Sequence, residues 1–152
     1  MKVLSAIVPC YNEEDNIADF YQEFIKNEQF FGEKEIELEL WYINDGSKDH
    51  TAAEVRKLIE KDERVHLLSF SRNFGKESAM YAGLCHAHGD YIAVMDADLQ
   101  DPPSLLPEML KVLESGDYES VATRRVTRTG EPPVRSWFAK RFYQLINNIF
   151  IG

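Results

Sequence analysis

The chain of 152 residues carries a formal net charge of −9, with 44% hydrophobic and 12% aromatic residues, enough apolar material to close one core and too much for a disordered polar chain. The charge is unevenly spread: residues 1–123 hold 11 basic and 25 acidic side chains, a balance of −14, whereas residues 124–152 hold six and one, a balance of +5. An acidic body without a basic stripe excludes nonspecific nucleic-acid binding, which depends on phosphate neutralisation, and gives the tail a separate partner or role.

The first residues, Met1 to Pro9, read as a strand rather than a signal peptide, because the apolar run is short and lacks a cleavage pattern. Further strand-like runs follow at Glu37–Ile43, Val65–Phe70, Tyr91–Met95 and Ser120–Ala122, alternating with helical patterns at Ile17–Phe30, Thr51–Glu60, Glu77–His88 and Leu105–Ser115. This alternation predicts βαβ units and a mostly parallel, Rossmann-like α/β sheet with helices on both faces. Asp49 or Thr51 can cap the second helix, Pro102-Pro103-Ser104 opens the fourth, and Gly116 stops it. No run approaches the roughly 20 apolar residues that span a bilayer. Cys10 and Cys85 are too few and too far apart for a metal site or disulfide framework, which fits a reduced, cytoplasmic setting. His86 and His88 are two apart and do not share a helix face, so they read as surface or helix-end residues.

Ligands of open α/β sheets gather beyond the carboxyl ends of the strands, and here each of the first four ends is polar. The first continues as Cys10-Tyr11-Asn12-Glu13-Glu14, either an acid-rich helix start that needs no ligand or one wall of a site. The second gives Asn44-Asp45-Gly46-Ser47, a tight turn with helix-capping groups whose carboxylate can also accept from a nucleobase N–H, with Tyr11 offering its ring. The third gives Ser71-Arg72-Asn73-Phe74-Gly75-Lys76; a lysine at a helix start opposes the dipole unless an anion such as phosphate is near, although solvated cations account for it equally. The fourth gives Asp96-Ala97-Asp98-Leu99-Gln100-Asp101-Pro102-Pro103, an acidic loop or two carboxylates set to hold a hard divalent cation. Arg124 and Arg125 after the fifth run suit bidentate phosphate contacts or a solvated turn. There is no Gly-x-Gly-x-x-Gly fingerprint, no Walker loop and no nucleophile elbow. From Val134 to Gly152 the spacing of Phe138, Phe142, Leu145, Ile146 and Ile149, with Arg135, Lys140 and Arg141 nearby, predicts an amphipathic helix that lies in a membrane interface or packs on the domain's own core.

Together, Val8 to Glu13, Asn44 to Ser47, Ser71 to Lys76 and Asp96 to Pro103 resemble the motifs of glycosyltransferase family 2, in order along nearly the whole chain, and within it the polyprenyl-phosphate branch that includes the dolichyl- and undecaprenyl-phosphate glycosyltransferases. The resemblance implies a GT-A fold, a UDP- or GDP-sugar donor, Mg2+ or Mn2+, an inverting transfer and a lipid phosphate acceptor at the cytoplasmic face of a membrane. By position, it implies that Pro9, Tyr11, Glu13 and Asp45 line the base and ribose pocket and that Asp96, Asp98 and Gln100 hold the metal and diphosphate, Asp96 with the alternative of leaning toward ribose or sugar. Arg72 and Lys76 then sit near the donor, and Arg124 and Arg125 face acceptor or donor phosphates. Asn44 replaces the first aspartate of the family's common Asp-Asp-Gly-Ser, while Asp45 is retained. Residues 1–133 are expected to form the nucleotide-sugar domain and 134–152 the amphipathic helix, with acceptor-side residues and transmembrane helices beyond Gly152 and a homo-oligomer among the expected partners. The alternatives are a saccharide acceptor, or a non-catalytic module that binds nucleotide sugar or recruits to membranes.

Overall fold

A computed structural model describes residues 1–123, of which Met1–Val121 form one compact unit. The boundary at 133, the 134–152 helix, Arg124 and Arg125 lie outside the described residues. Four strands, β1 (Lys2–Cys10), β2 (Ile36–Asn44), β3 (Val65–Ser69) and β4 (Tyr91–Val94), form an all-parallel sheet in the order β3-β2-β1-β4. The helices are α1 (Ile17–Ile25), α2 (Glu28–Gly32), α3 (Thr51–Ile59), α4 (Lys76–His86) and α5 (Leu106–Glu114), the last entered through a 3-10 turn at Pro103–Leu105. The chain winds from β1 outward to β3 and then returns to the opposite side of β1. The carboxyl ends of β1 and β4 therefore flank the point where the winding reverses, the usual place for a ligand crevice.

Strand alternation divides the core between two faces. Leu4, Ala6, Val8 and Cys10 of β1 and Ile36, Leu38, Leu40 and Tyr42 of β2 face one way, packed with Ile17, Phe20 and Phe24 of α1, Phe31 of α2, Val55 and Leu58 of α3 and Leu106 and Leu110 of α5. Ile7 and Ile43 face the other way, against Ala79 of α4 and Ala87 after it. Gly83 makes this second contact close: a Cβ there would stand 2.3 Å from Ile7 Cγ2 and 3.3 Å from Ile43 Cγ1.

Two sequence expectations change. The Ile17–Phe30 helix is broken between Ile25 and Glu28, because the buried Asn27 amide donates to the Phe24 carbonyl at 3.1 Å and to the Pro103 carbonyl at 3.1 Å, diverting a carbonyl the helix would otherwise cap. Ser120–Ala122 is not a strand; only Val121 of the three favours extended structure. The other elements agree to within a residue or two, and Gly116 ends α5 with φ +81°.

Pro9 shapes the crevice. Odd-numbered residues of β1 turn their backbone groups toward β4, where the last ladder bond runs from Met95 N–H to the Ile7 carbonyl at 2.9 Å. Pro9 is next on that side and has no N–H to donate, so pairing ends and the chain after Met95 diverges from β1.

Candidate functional site

Beyond the carboxyl ends of β1, β2 and β4 lies an open cavity of about 400 Å³. It brings together Pro9, Tyr11, Glu13, Asp45, Lys76, Asp96 and Asp98 from the residues singled out in the sequence, and adds Cys10, Asn73, Gly75 and Ala97. Arg72 and Gln100 are not in its lining: the Arg72 guanidinium lies over the Phe74 ring, 4.6 Å from its centroid, and Gln100 is exposed. Asn73 sits inside a motif already conspicuous in the sequence, whereas Cys10 reads there only as a small buried residue.

The walls are held by side chains that bind backbone. Both carboxylate oxygens of buried Asp45 accept N–H groups of the loop before α4, from Phe74 at 2.7 Å and Gly75 at 3.0 Å. Gly46, at φ +68°, lets that loop approach: a Cβ there would lie 2.2 Å from the Arg72 carbonyl carbon. The following turn ties down the first wall, with Ser47 Oγ accepting from Asn12 N–H at 3.0 Å, Asn12 Oδ1 from Lys48 N–H at 2.8 Å, and Thr51 Oγ1 from Glu13 N–H at 2.9 Å. The N-cap of α3 is His50 rather than Asp49 or Thr51; Asp49, one residue earlier, accepts Thr51 N–H at 2.9 Å and so steadies the entry to the helix. Burial opposes ionisation of Asp49, but hydrogen bonds from the Thr51 hydroxyl and the Thr51 and Glu14 amides outweigh it and hold its carboxyl below the usual range.

The fourth wall is the turn after β4. Leu99 has φ +59°, a conformation costly for a branched side chain, and its side chain packs onto the main core. Gln100 N–H donates to Asp98 Oδ1 at 3.0 Å, so the turn presents Asp96 and Asp98 to the cavity with Ala97 buried between them. Lys76 Nζ lies 2.6 Å from Asp96 Oδ1.

The chemistry of the lining is acidic and hard. Four carboxylates (Glu13, Asp45, Asp96, Asp98) face one ammonium, that of Lys76, an imbalance that repels a polyphosphate unless a cation enters with it. Among the described residues no group of three or more His, Cys, Asp or Glu side chains is placed to hold a metal ion unaided. Ions of the Mg2+ type bind through one or two carboxylates together with phosphates and water, so the Asp96 and Asp98 pair fits such an ion when a diphosphate supplies the remaining oxygens. Cys10 is no nucleophile: burial, followed by the charges of Glu13, Asp49 and Asp45, pushes its thiol up to about 12. No helix among the described residues is long and apolar enough to cross a membrane.

Comparison with known proteins agrees with this geometry. The family described as Glycosyl transferase family 2 matches residues 5–151. The prophage bactoprenol glucosyl transferase homolog of Escherichia coli (strain K12) is 40% identical over 146 residues, covering 96% of this chain and 46% of the relative. The chain thus spans about half the length of the curated relatives it matches. Among solved structures, the mannosyltransferase PcManGT of Pyrobaculum calidifontis, in complex with GDP-Man and Mn2+, is 28% identical with a TM-score of 0.61 over 74% of this chain and 32% of its own. Residues 1–349 of S. aureus TarS, in complex with UDP, are 28% identical with a TM-score of 0.54 over 64% of this chain and 28% of that one. The parallel sheet with its strand-end cleft is the GT-A architecture that the sequence resemblance implies. With its four motifs converging on one cleft and the family match running almost from end to end, the chain belongs to glycosyltransferase family 2.

Proposed function

We propose that this protein transfers a sugar from a UDP- or GDP-sugar to a polyprenyl phosphate lipid, with inversion at the anomeric carbon. One observation carries the reading: the cleft gathers four carboxylates and one lysine where the strand winding reverses, a site able to take a sugar diphosphate only together with a divalent cation. The bactoprenol glucosyl transferase name of the Escherichia coli relative supports a polyprenyl acceptor. The GDP-Man and Mn2+ held by the Pyrobaculum mannosyltransferase, and the UDP held by TarS, support the donor class.

In this reading Asp96 and Asp98 hold Mg2+ or Mn2+ against the donor diphosphate, with Gln100 beside them on the same turn. When bound there, the ion neutralises charge building on the diphosphate as the sugar leaves. Pro9, Tyr11, Glu13 and the Asp45 wall receive the base and ribose, and Lys76 faces the phosphates, while Arg72 contributes only if its guanidinium leaves the Phe74 ring. The acceptor oxygen attacks the anomeric carbon from the side opposite the nucleotide, and the nucleoside diphosphate departs with the bonding electron pair. A lipid phosphate is ionised at neutral pH and brings its own nucleophile, which suits a described cleft whose lining has no histidine. Arg124 and Arg125 are assigned to acceptor or donor phosphates, and the balance of +5 over residues 124–152 complements an anionic membrane surface at the cytoplasmic face.

Calorimetry tests the donor site. UDP or GDP binds in the presence of Mn2+ and not after chelation, and Asp98→Asn weakens that binding about tenfold or more, whereas Asp101→Asn, in the turn leading to α5, weakens it less. Folded protein that binds neither nucleotide in Mn2+ overturns the proposal.

A further inference from the structure

Lys76 occupies an electrostatically awkward position. It is the first residue of α4, where the helix dipole disfavours a cation, and the structure resolves the conflict by placing Nζ 2.6 Å from Asp96 Oδ1. Both side chains are about half exposed, 56% and 46%. The backbone beneath Lys76 is pinned, since Asp45 grips the N–H groups of Phe74 and Gly75 and the chain at Arg72–Asn73 lies tight over Gly46. The lysine's flexible four-carbon stem is therefore what can move, over a cavity whose other charged groups are all carboxylates.

We propose that Lys76 is an exchangeable counter-ion of the donor site: it neutralises Asp96 when no donor is present, yields that carboxylate to the divalent cation, and passes its ammonium to the incoming diphosphate. The inference rests on the function proposed above, because it takes Asp96 as a metal-facing group. Its consequence is linkage. A metal ion arriving alone must displace Lys76 and leave an ammonium unpaired beside a dication, whereas a metal ion arriving with a diphosphate brings the displaced ammonium a new partner. Metal and nucleotide then strengthen each other's binding by one and the same factor. The device discourages the cleft from holding a bare metal ion, and Lys76 acts as a donor-phosphate contact rather than a metal ligand.

The test measures binding of Mn2+ alone, and of UDP and GDP with Mn2+, to the full chain and to its Lys76→Gln and Lys76→Arg variants, with circular dichroism to verify folding. Lys76→Gln is expected to bind Mn2+ alone about two- to fivefold more tightly, the range set by losing an exposed ion-pair competitor, and to bind nucleotide in Mn2+ about tenfold more weakly, through loss of a charge-assisted phosphate contact. Lys76→Arg keeps the cation and stays near the native Mn2+ affinity. If the native chain binds nucleotide with Mn2+ but Lys76→Gln leaves the affinity for Mn2+ alone unchanged or weaker, the counter-ion role is overturned while the donor site stands. Tighter metal with undiminished nucleotide binding overturns the hand-over to the diphosphate. A folded native chain with no metal-dependent nucleotide binding removes both.

Discussion

The two faces of the sheet are built on different rules. One is covered by α1, α2, α3 and α5 through large side chains, among them fully buried Phe20, Phe31 and Tyr42. The other carries α4, seated through Ala79 and Gly83, with Tyr81 and Leu84 of that helix exposed and Ile92 and Val94 of β4, in register with Ser5 and Ile7, exposed on the same side. The thick face buries most of the apolar area and so dominates stability. The thin face fixes how closely α4, with Lys76 at its start, approaches the strand ends. Stability and site geometry are thereby assigned largely to opposite sides of one sheet.

The separation can be broken from either side. Phe20→Ala removes a ring that contacts Phe24 and Tyr42 and is expected to cost about 3–5 kcal/mol, read as a lower urea midpoint, with nucleotide affinity of the protein that remains folded changed less than about twofold. A comparable loss of both would show that the thick face also shapes the cleft. Gly83→Ala forces a methyl against Ile7 and is expected to cost about 1–3 kcal/mol by overpacking, yet to weaken Mn2+-dependent nucleotide binding more than Phe20→Ala does, because α4 must shift. The smallest effect is at the rim of the thick face, where Arg64 donates to both oxygens of Asp62 and Tyr21 adds its hydroxyl. The Arg64 hydrogen bonds, opposed by burial, lower the Asp62 carboxyl to about 2, below the roughly 3.9 of an unfolded chain. A depressed carboxyl contributes stability above the unfolded value and loses it as pH falls through the folded one. The native chain should therefore lose stability between about pH 4 and pH 2 more steeply than Asp62→Asn, measured by urea midpoints across that window, with nucleotide binding at neutral pH unaltered.

Much of this was legible in the residues. The apolar run of β1, the alternating Ile36-Glu37-Leu38-Glu39-Leu40 of β2 and the short apolar runs of β3 and β4 mark strands, and the polar groups directly after them mark the cleft. What escaped depends on partners far along the chain. The break after α1 follows from Asn27 reaching Pro103, 76 residues on. Asp45 reads as a base-binding acid, yet both its oxygens accept backbone N–H groups of a loop about 30 residues away; periodicity carries no trace of such a clasp. The Ser120–Ala122 run has a single strand-forming residue, Val121, and does not form a strand. Arg72 and Gln100 lie in the right motifs, but sequence position cannot tell a side chain that enters a cavity from one that turns to the Phe74 ring or to solvent.

Leu99 sets how the carboxylate turn responds to its surroundings. The turn carries Asp96 and Asp98, whose charges are screened as ionic strength rises, but its left-handed backbone is anchored by an apolar side chain in the core. Salt screens charge and leaves that anchor untouched. Raising ionic strength should therefore weaken what the cleft attracts without reshaping the turn that presents it, so affinity falls while the geometry offered to the ligand persists.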